Sequence, residues 1–178
     1  MAGLAGIRRR SGRVIRPLLG WRRGELAGLV AACGIEAVTD PSNVDHRFDR
    51  ARLRKAIAGV DWLDIERIGV SAGALGEAED ALAWATRQAL AARGMLGDGQ
   101  ASIEPADLPD EIVRRLVRVC VSHADPASEP TGPALMRMVE ALRLGRRAML
   151  GDVLAEPRGR GGEPVRWHFG HAPPRRGG

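Results

Sequence analysis

Arg16-Pro-Leu-Leu-Gly-Trp-Arg-Arg-Gly-Glu-Leu26, followed by Asp40-Pro-Ser-Asn43 and then by Phe48-Asp-Arg-Ala-Arg-Leu-Arg54, is the stretch on which the reading of this chain turns. Pro17 biases Arg16 away from the helical region, so Arg13 to Arg16 reads as a short extended segment. Residues 22–33 read as a helix with Leu26, Leu29 and Val30 on one face and Gly34 as its stop. Ile35 to Val38 is compatible with one short strand. Asp40-Pro-Ser-Asn43 is a turn cluster in which Ser42 or Asn43 can cap the helix that follows, with Asp45 favouring its positive end.

That next helix is expected from His46 to Ile57. At 100° per residue, Leu53, Ile57 and Val60 share one face, expected to be buried. Arg47, Arg50 and Arg54 fall within about 60° of one another on a neighbouring face. Guanidiniums crowded on one stripe repel each other unless an anion or carboxylates sit opposite. Two readings follow: a solvated basic face, or planar bidentate donors for phosphate.

Composition sets the outer bounds. The 178 residues suit one domain or one and a half, and 44% hydrophobic content can supply a core. Aromatics are only 3%, so that core has to be aliphatic, which favours helices over a sheet sandwich. Lys55 is the single lysine, so the basic balance rests on arginine. Charge is unevenly spread. Residues 1–59 carry twelve basic and five acidic side chains, residues 60–155 ten and fifteen, and residues 156–178 five and two. A basic head and tail around an acidic middle imply that a polyanion meets the ends. Cys33 and Cys120 form neither a disulfide framework nor a zinc spacing, which makes a reducing cytoplasm the expected compartment. No apolar run reaches the roughly 18 residues that a membrane span needs, and Met1 to Arg10 lacks a signal-peptide core.

Beyond Gly59, Asp61 opens a helical stretch to about Arg93. Gly69, Gly73 and Gly76 weaken it enough to leave a kinked pair and a single rod both open. Trp62 and Trp84 are expected in the core. Gly94 to Gly99 reads as a turn and Ala101 to Ala106 as extended. Pro109 starts a helix whose apolar stripe is Ile112, Leu116, Val119 and Cys120. Another helix is expected from Pro133 to Leu144. Met149 to Leu154 and Val165 to Phe169 read as two strands joined by the Gly/Arg-rich loop 158–162, ahead of a frayed tail.

Candidate chemistry is sparse. His168-x-x-His171 has no nearby cysteine and reads as an exposed strand end rather than a metal site; no metal is expected. Cys33, just before a helix-ending glycine, is not in an activating position. Neither Gly-x-Ser-x-Gly nor a Walker-type run occurs. Gly159 to Gly162 lacks the strand-before, helix-after setting of a phosphate loop. No catalytic residue can be named.

Arg16-Pro-Leu-Leu, Arg23, Glu25-Leu26, Asp40-Pro-Ser-Asn43, Asp45 and Arg50-x-x-x-Arg54 resemble the segment that closes the catalytic domain of tRNA(Ile)-lysidine synthases, of the PP-loop superfamily. That family usually has Asn where Ala51 stands. Gly132-Pro to Leu144, Arg147-Ala-Met-Leu-Gly-Asp-Val-Leu154 and the Trp167-His-Phe ending are similar to alphaproteobacterial members. The resemblance implies a mainly α fold with minor β. Residues 1–59 would close a Rossmann-like PP-loop domain, 60–145 form a helical middle domain, and 146–178 a short β segment with a basic tail. It implies ATP-dependent ligation of free lysine to C2 of the wobble cytidine in tRNA(Ile) with a CAU anticodon, turning AUG reading into AUA reading. ATP and Mg²⁺ are the implied cofactors. Arg50 and Arg54, with Arg47, Ser42 and Asn43 in support, would contact ATP or tRNA phosphate. The family's Ser-Gly-Gly-x-Asp-Ser loop does not occur in these residues, so a separate N-terminal half is an implied partner and activity of this chain alone is not expected. The alternatives are a stand-alone tRNA-binding module and an inactive truncated product.

Overall fold

The computed structural model describes residues 5–38, 40–41, 45, 47–58, 60–159 and 165–173, with the side chains of residues 50 and 58 left aside. The fold is mixed α/β, about 51% helical with 17% strand. Contacts divide the chain into two compact units, Met1–Glu79 and Asp80–Gly178.

The first unit opens with a hairpin of β1 (Arg10–Ser11) and β2 (Val14–Ile15), antiparallel with Arg10 opposite Ile15. Pro17 then starts a 3-10 turn, Pro17–Gly20. Helix α1 (Arg23–Ala32) begins where the Glu25 carboxylate accepts the Arg22 N–H at 2.7 Å, satisfying one of the N–H groups left over at a helix start. It ends at Gly34, whose φ of +66° a side chain would resist, while the Ile35 N–H reaches back to the Val30 carbonyl. Helix α2 spans Asp49–Ala58. Helix α3, Ile65–Arg93, is one helix despite its glycines, which resolves the choice between rod and kinked pair.

Three expectations fail in this unit. Ile35 to Val38 forms no strand, because a strand needs a ladder partner and the pairing described in this unit is β1 with β2. Leu53 is 60% exposed rather than buried. Trp62, expected in the core, is 84% exposed. The physical reason is common to the last two. Among the described residues of this unit, the buried hydrophobics are only Ala5 and Ala51. Ile15, Leu18, Trp21, Leu29, Phe48 and Ile65 all remain at least 40% exposed. Two methyl-sized side chains cannot anchor an apolar face, so the faces that the sequence marks for burial have nothing within the unit to bury them.

The second unit has a real core. Strands β3 (Gly94–Gly97), β4 (Gln100–Ile103), β5 (Ala148–Leu150), β6 (Val153–Arg158) and β7 (Arg166–His171) form an antiparallel sheet in the order β3-β4-β7-β6-β5. Residues 94–103 thus share one sheet with residues 148–171. Helices α4 (Asp110–Ala124) and α5 (Gly132–Arg143) pack against it. The expected stripe of α4 is confirmed at Ile112, Leu116 and Cys120, and a second row of Val113, Val117, Val121 and Ala124 is buried as well. Two adjacent rows are needed because α4 touches both the sheet and α5. Leu135, Met138 and Leu142 of α5 complete the helical side, and Ile103, Val153, Ala155, Trp167 and Phe169 supply the sheet side.

Two turns were misplaced by pattern alone. Gly94 to Gly99 is not all turn: Gly94–Gly97 is β3, and Asp98-Gly99 is a two-residue hairpin loop with Gly99 at φ +66°. Met149 to Leu154 is not one strand: Leu150 pairs with Val153 across a Gly151-Asp152 turn, with Gly151 at φ +58°. Trp84 is 58% exposed, again against expectation, since the core is filled by α4 and α5.

Candidate functional site

Asp45 organises the entry to α2. Its Oδ1 accepts the Arg47 backbone N–H at 2.9 Å and its Oδ2 accepts Arg47 Nε at 2.8 Å. The Phe48 N–H bonds to the Asp45 carbonyl, and the first helical bond runs from the Arg52 N–H to the Phe48 carbonyl. This aspartate turn competes with helix formation and delays it to Asp49. Arg47 therefore lies before the helix rather than on the expected stripe with Arg50 and Arg54. Its hydrogen bond to Asp45 raises its pKa, and most of its side chain stays in solvent.

Arg50 and Arg54 sit one turn apart on α2, and Arg54 is exposed. Arg52, between them, pairs with Asp49 at the helix start, where a carboxylate also suits the dipole. Among the described side chains, Arg47 and Arg52 are thus matched by carboxylates within three residues. Ala51, between Arg50 and Arg52, is buried and puts no polar group at its position. Ser42 and Asn43 lie outside the described residues.

The histidine pair falls on β7. His168 and His171 line a small cavity of about 190 Å³ on the sheet, together with Gln100, Leu154, Glu156 and Arg158. Burial lowers the His168 pKa, the positive charges of Arg158 and Arg166 lower it further, and Glu156 offsets part of this. The cross-strand register sets Ser102 and Glu156 on either side of His168. Sequence reasoning missed this cluster, because Ser102 and His168 are far apart in the chain and only sheet pairing brings them level. The one available signal was the alternation of β7, which buries Trp167 and Phe169 and turns Arg166, His168 and Gly170 the other way.

Both cysteines are unbridged. Cys33 is exposed at the C-terminal cap of α1. Cys120 is buried in α4, and burial pushes its thiol up to about 12, so it stays a small neutral core residue. Among the described residues, no three His, Cys, Asp or Glu side chains converge to hold a metal ion. Among them, too, no helix is long and apolar enough to cross a membrane.

Comparison with known proteins bears directly on these residues. A family profile described as the PP-loop domain matches residues 1–60. The chain is 38% identical over 183 aligned positions to the tRNA(Ile)-lysidine synthase of Novosphingobium aromaticivorans, covering 99% of this chain and 54% of that protein. It is 35% identical to the tRNA(Ile)-lysidine synthase of Zymomonas mobilis, covering 92% and 48% of the two chains. With that of Ruegeria pomeroyi the identity is 37%, over 90% and 40%. The chain spans about half the length of the curated relatives it matches.

Proposed function

We propose, from this homology to tRNA(Ile)-lysidine synthases, that the protein takes part in ATP-dependent ligation of lysine to C2 of the wobble cytidine of tRNA(Ile) with a CAU anticodon. In this reading ATP adenylates the C2 oxygen, turning a poor leaving group into a good one. The lysine amino group then displaces AMP. The observation that carries the reading is the alignment, which runs through nearly all of this chain, with the PP-loop match over the segment that holds Arg50 and Arg54.

The role of these residues is charge. Residues 1–59 close the PP-loop domain, and Arg50 and Arg54 present guanidiniums to ATP phosphate or to the tRNA backbone. Arg47 shapes the turn that enters α2, and Ser42 and Asn43 join it as secondary phosphate contacts. Positive charge placed where phosphate charge accumulates lowers the barrier because it needs no rearrangement at the moment of reaction. Mg²⁺ enters with the ATP phosphates.

A complementary part of the catalytic domain is required. The chain contains no Ser-Gly-Gly-x-Asp-Ser run to hold ATP. The bare apolar side chains of the first unit fit the same requirement, since Leu18, Trp21, Leu29 and Phe48 need a surface to cover them. A cytoplasmic setting follows from a tRNA substrate and unbridged cysteines.

The experiment joins this chain to the part of the Novosphingobium aromaticivorans relative that it does not cover. Supplied with Mg-ATP, labelled lysine and a tRNA(Ile) CAU transcript, the fusion should release AMP and label the tRNA. The 178-residue chain alone should do neither. A folded fusion that transfers no lysine, or AMP release by the chain alone, overturns the corresponding half of the reading.

A further inference from the structure

The helical layer of the second unit has an outer side that the proposed chemistry does not use. α4 and α5 run antiparallel there, since the Arg143 guanidinium at the end of α5 bonds Asp110 at the start of α4 at 2.6 Å. Leu135, Met138 and Leu142 take the inner side of α5. The outer side falls to Met136, Glu140 and the cap residue Leu144, which follow one another at four-residue spacing. Asp110 and Arg114, one turn apart on α4, form the opposite wall. The cleft between the two helices has a volume of about 530 Å³. Its row from Met136 to Leu144 is about 12 Å long, or roughly two turns of helix.

Three observations narrow what the cleft can hold. Its apolar side chains are bare: Met136 is 56% exposed and Leu144 62%. Methionine is unbranched and polarizable, so it adapts its shape to the side chains of another element. Glu140 stands midway between the two, and its carboxylate is the unmatched charge of the cleft. Arg143, nearly one turn on, is held by Asp110, and Arg114, across the cleft, is held by Glu111. Among the described residues, no side chain pairs with Glu140. Finally, the lining side chains repeat at three and four residues on both helices, which is the spacing that a third helix presents in return.

Charge complementarity then sets the chemistry of the occupant. A carboxylate with an apolar group one turn to either side is matched by a cation flanked in the same way. On a helix, that is an aliphatic residue, a lysine or arginine four residues later, and a second aliphatic residue four residues beyond it. Among the described residues, no helix of this chain sets a basic side chain four residues from a large aliphatic one on both sides, so the chain does not supply the occupant itself. We propose that the cleft between α4 and α5 docks an amphipathic helix of a partner protein, with its basic side chain on Glu140 and its two aliphatic side chains against Met136 and Leu144. The site shares no residue with the arginine stripe of α2 and stands apart from the ligase reading.

The test uses the full chain and a labelled alanine- and glutamine-based peptide of about 16 residues, long enough to be helical alone, carrying leucine, lysine and leucine at four-residue spacing. Binding is read by anisotropy. Replacing the peptide lysine with glutamate should weaken binding to the wild type by about tenfold. Glu140→Lys should reverse the preference, so that the glutamate peptide binds the better. Met136→Ser should weaken the lysine peptide by about fivefold, and is the second variant should Glu140→Lys not fold. Both positions are exposed, so both variants should keep the wild-type melting temperature. No binding of the lysine peptide by the wild type, equal binding of the two peptides, or wild-type affinity in a folded variant overturns the proposal. Full displacement of the peptide by hexylamine at equal concentration overturns the helix in favour of a small amine. Sedimentation of the chain alone as a dimer that Glu140→Lys dissociates overturns the partner protein in favour of a second copy. The assay contains neither ATP nor tRNA, so its outcome leaves the ligase reading where the fusion experiment puts it.

Discussion

Reversing the charge of Arg50 and Arg54 together should flatten the salt dependence of tRNA binding. The logarithm of affinity falls with the logarithm of salt by about 0.9 per phosphate contact on a duplex and about 0.7 on a single strand. Losing two contacts should reduce the slope by about 1.4 to 1.8. Between 50 and 200 mM salt, that removes about a sevenfold to twelvefold share of the wild-type loss of affinity. The structure supplies the control. Arg52 lies on the same helix but is paired with Asp49, so removing both as Asp49→Ala/Arg52→Ala leaves the local net charge unchanged. That double variant should keep the wild-type slope, whereas Arg50→Glu/Arg54→Glu should not. The assay is anisotropy of a labelled tRNA(Ile) transcript at four or five salt concentrations, with circular dichroism to show that α2 persists. A wild-type slope in Arg50→Glu/Arg54→Glu would return the stripe to a solvated basic face and refute the phosphate-contact argument.

Leu116 is fully buried in the core of the second unit, so Leu116→Ala should destabilise that unit by about 2–5 kcal/mol. That lowers its melting temperature by more than about 8 °C, while Leu29→Ala, at a half-exposed position, should change stability by about 0.5 kcal/mol or less. A melting scan of both variants decides it, and equal shifts would contradict the division into a packed and an unpacked unit. Glu111 contributes to the pH dependence. Partial burial pushes its carboxyl up, but hydrogen bonds from Arg115, at 2.7 Å, and from Arg114 outweigh this and leave it below the usual range. A carboxylate lowered in the folded state stabilises above its unfolded pKa, and that contribution is lost as pH falls through the folded pKa. Glu111→Gln should therefore flatten stability against pH on the acid side of about 4.3, and an unchanged acid limb in denaturant titrations would contradict it.

The two units differ in how much of them could be read from the chain. α4 and α5 were legible because their apolar rows repeat at helical spacing and their partners lie within the same hundred residues. α1 was legible from local signals, the spacing of Leu26, Leu29 and Val30 and the stop at Gly34; its Glu25–Arg22 cap was seen only in the structure. The burial expected for Leu53, Trp62 and Trp84 was not found, since periodicity says which side chains share a face and not what covers it. Arg47 left the predicted stripe because one aspartate side chain, Asp45, bonds locally and holds back the helix start by three residues.

The sequence by itself determined that the helices exist, though not where α2 starts or that α3 is continuous, and with them the arginine content of α2 and the likeness to lysidine synthases, because each depends on residues close together in the chain. Tertiary structure alone decided where β5 ends and β6 begins, and that β3 joins the strands of the C-terminal segment. It also decided that Ser102, His168 and Glu156 stand in one row. Those facts depend on hydrogen-bond register between strands, across a tight turn for β5 and β6 and between distant segments for the rest, and a shift of one residue would turn His168 into the core and Trp167 out of it.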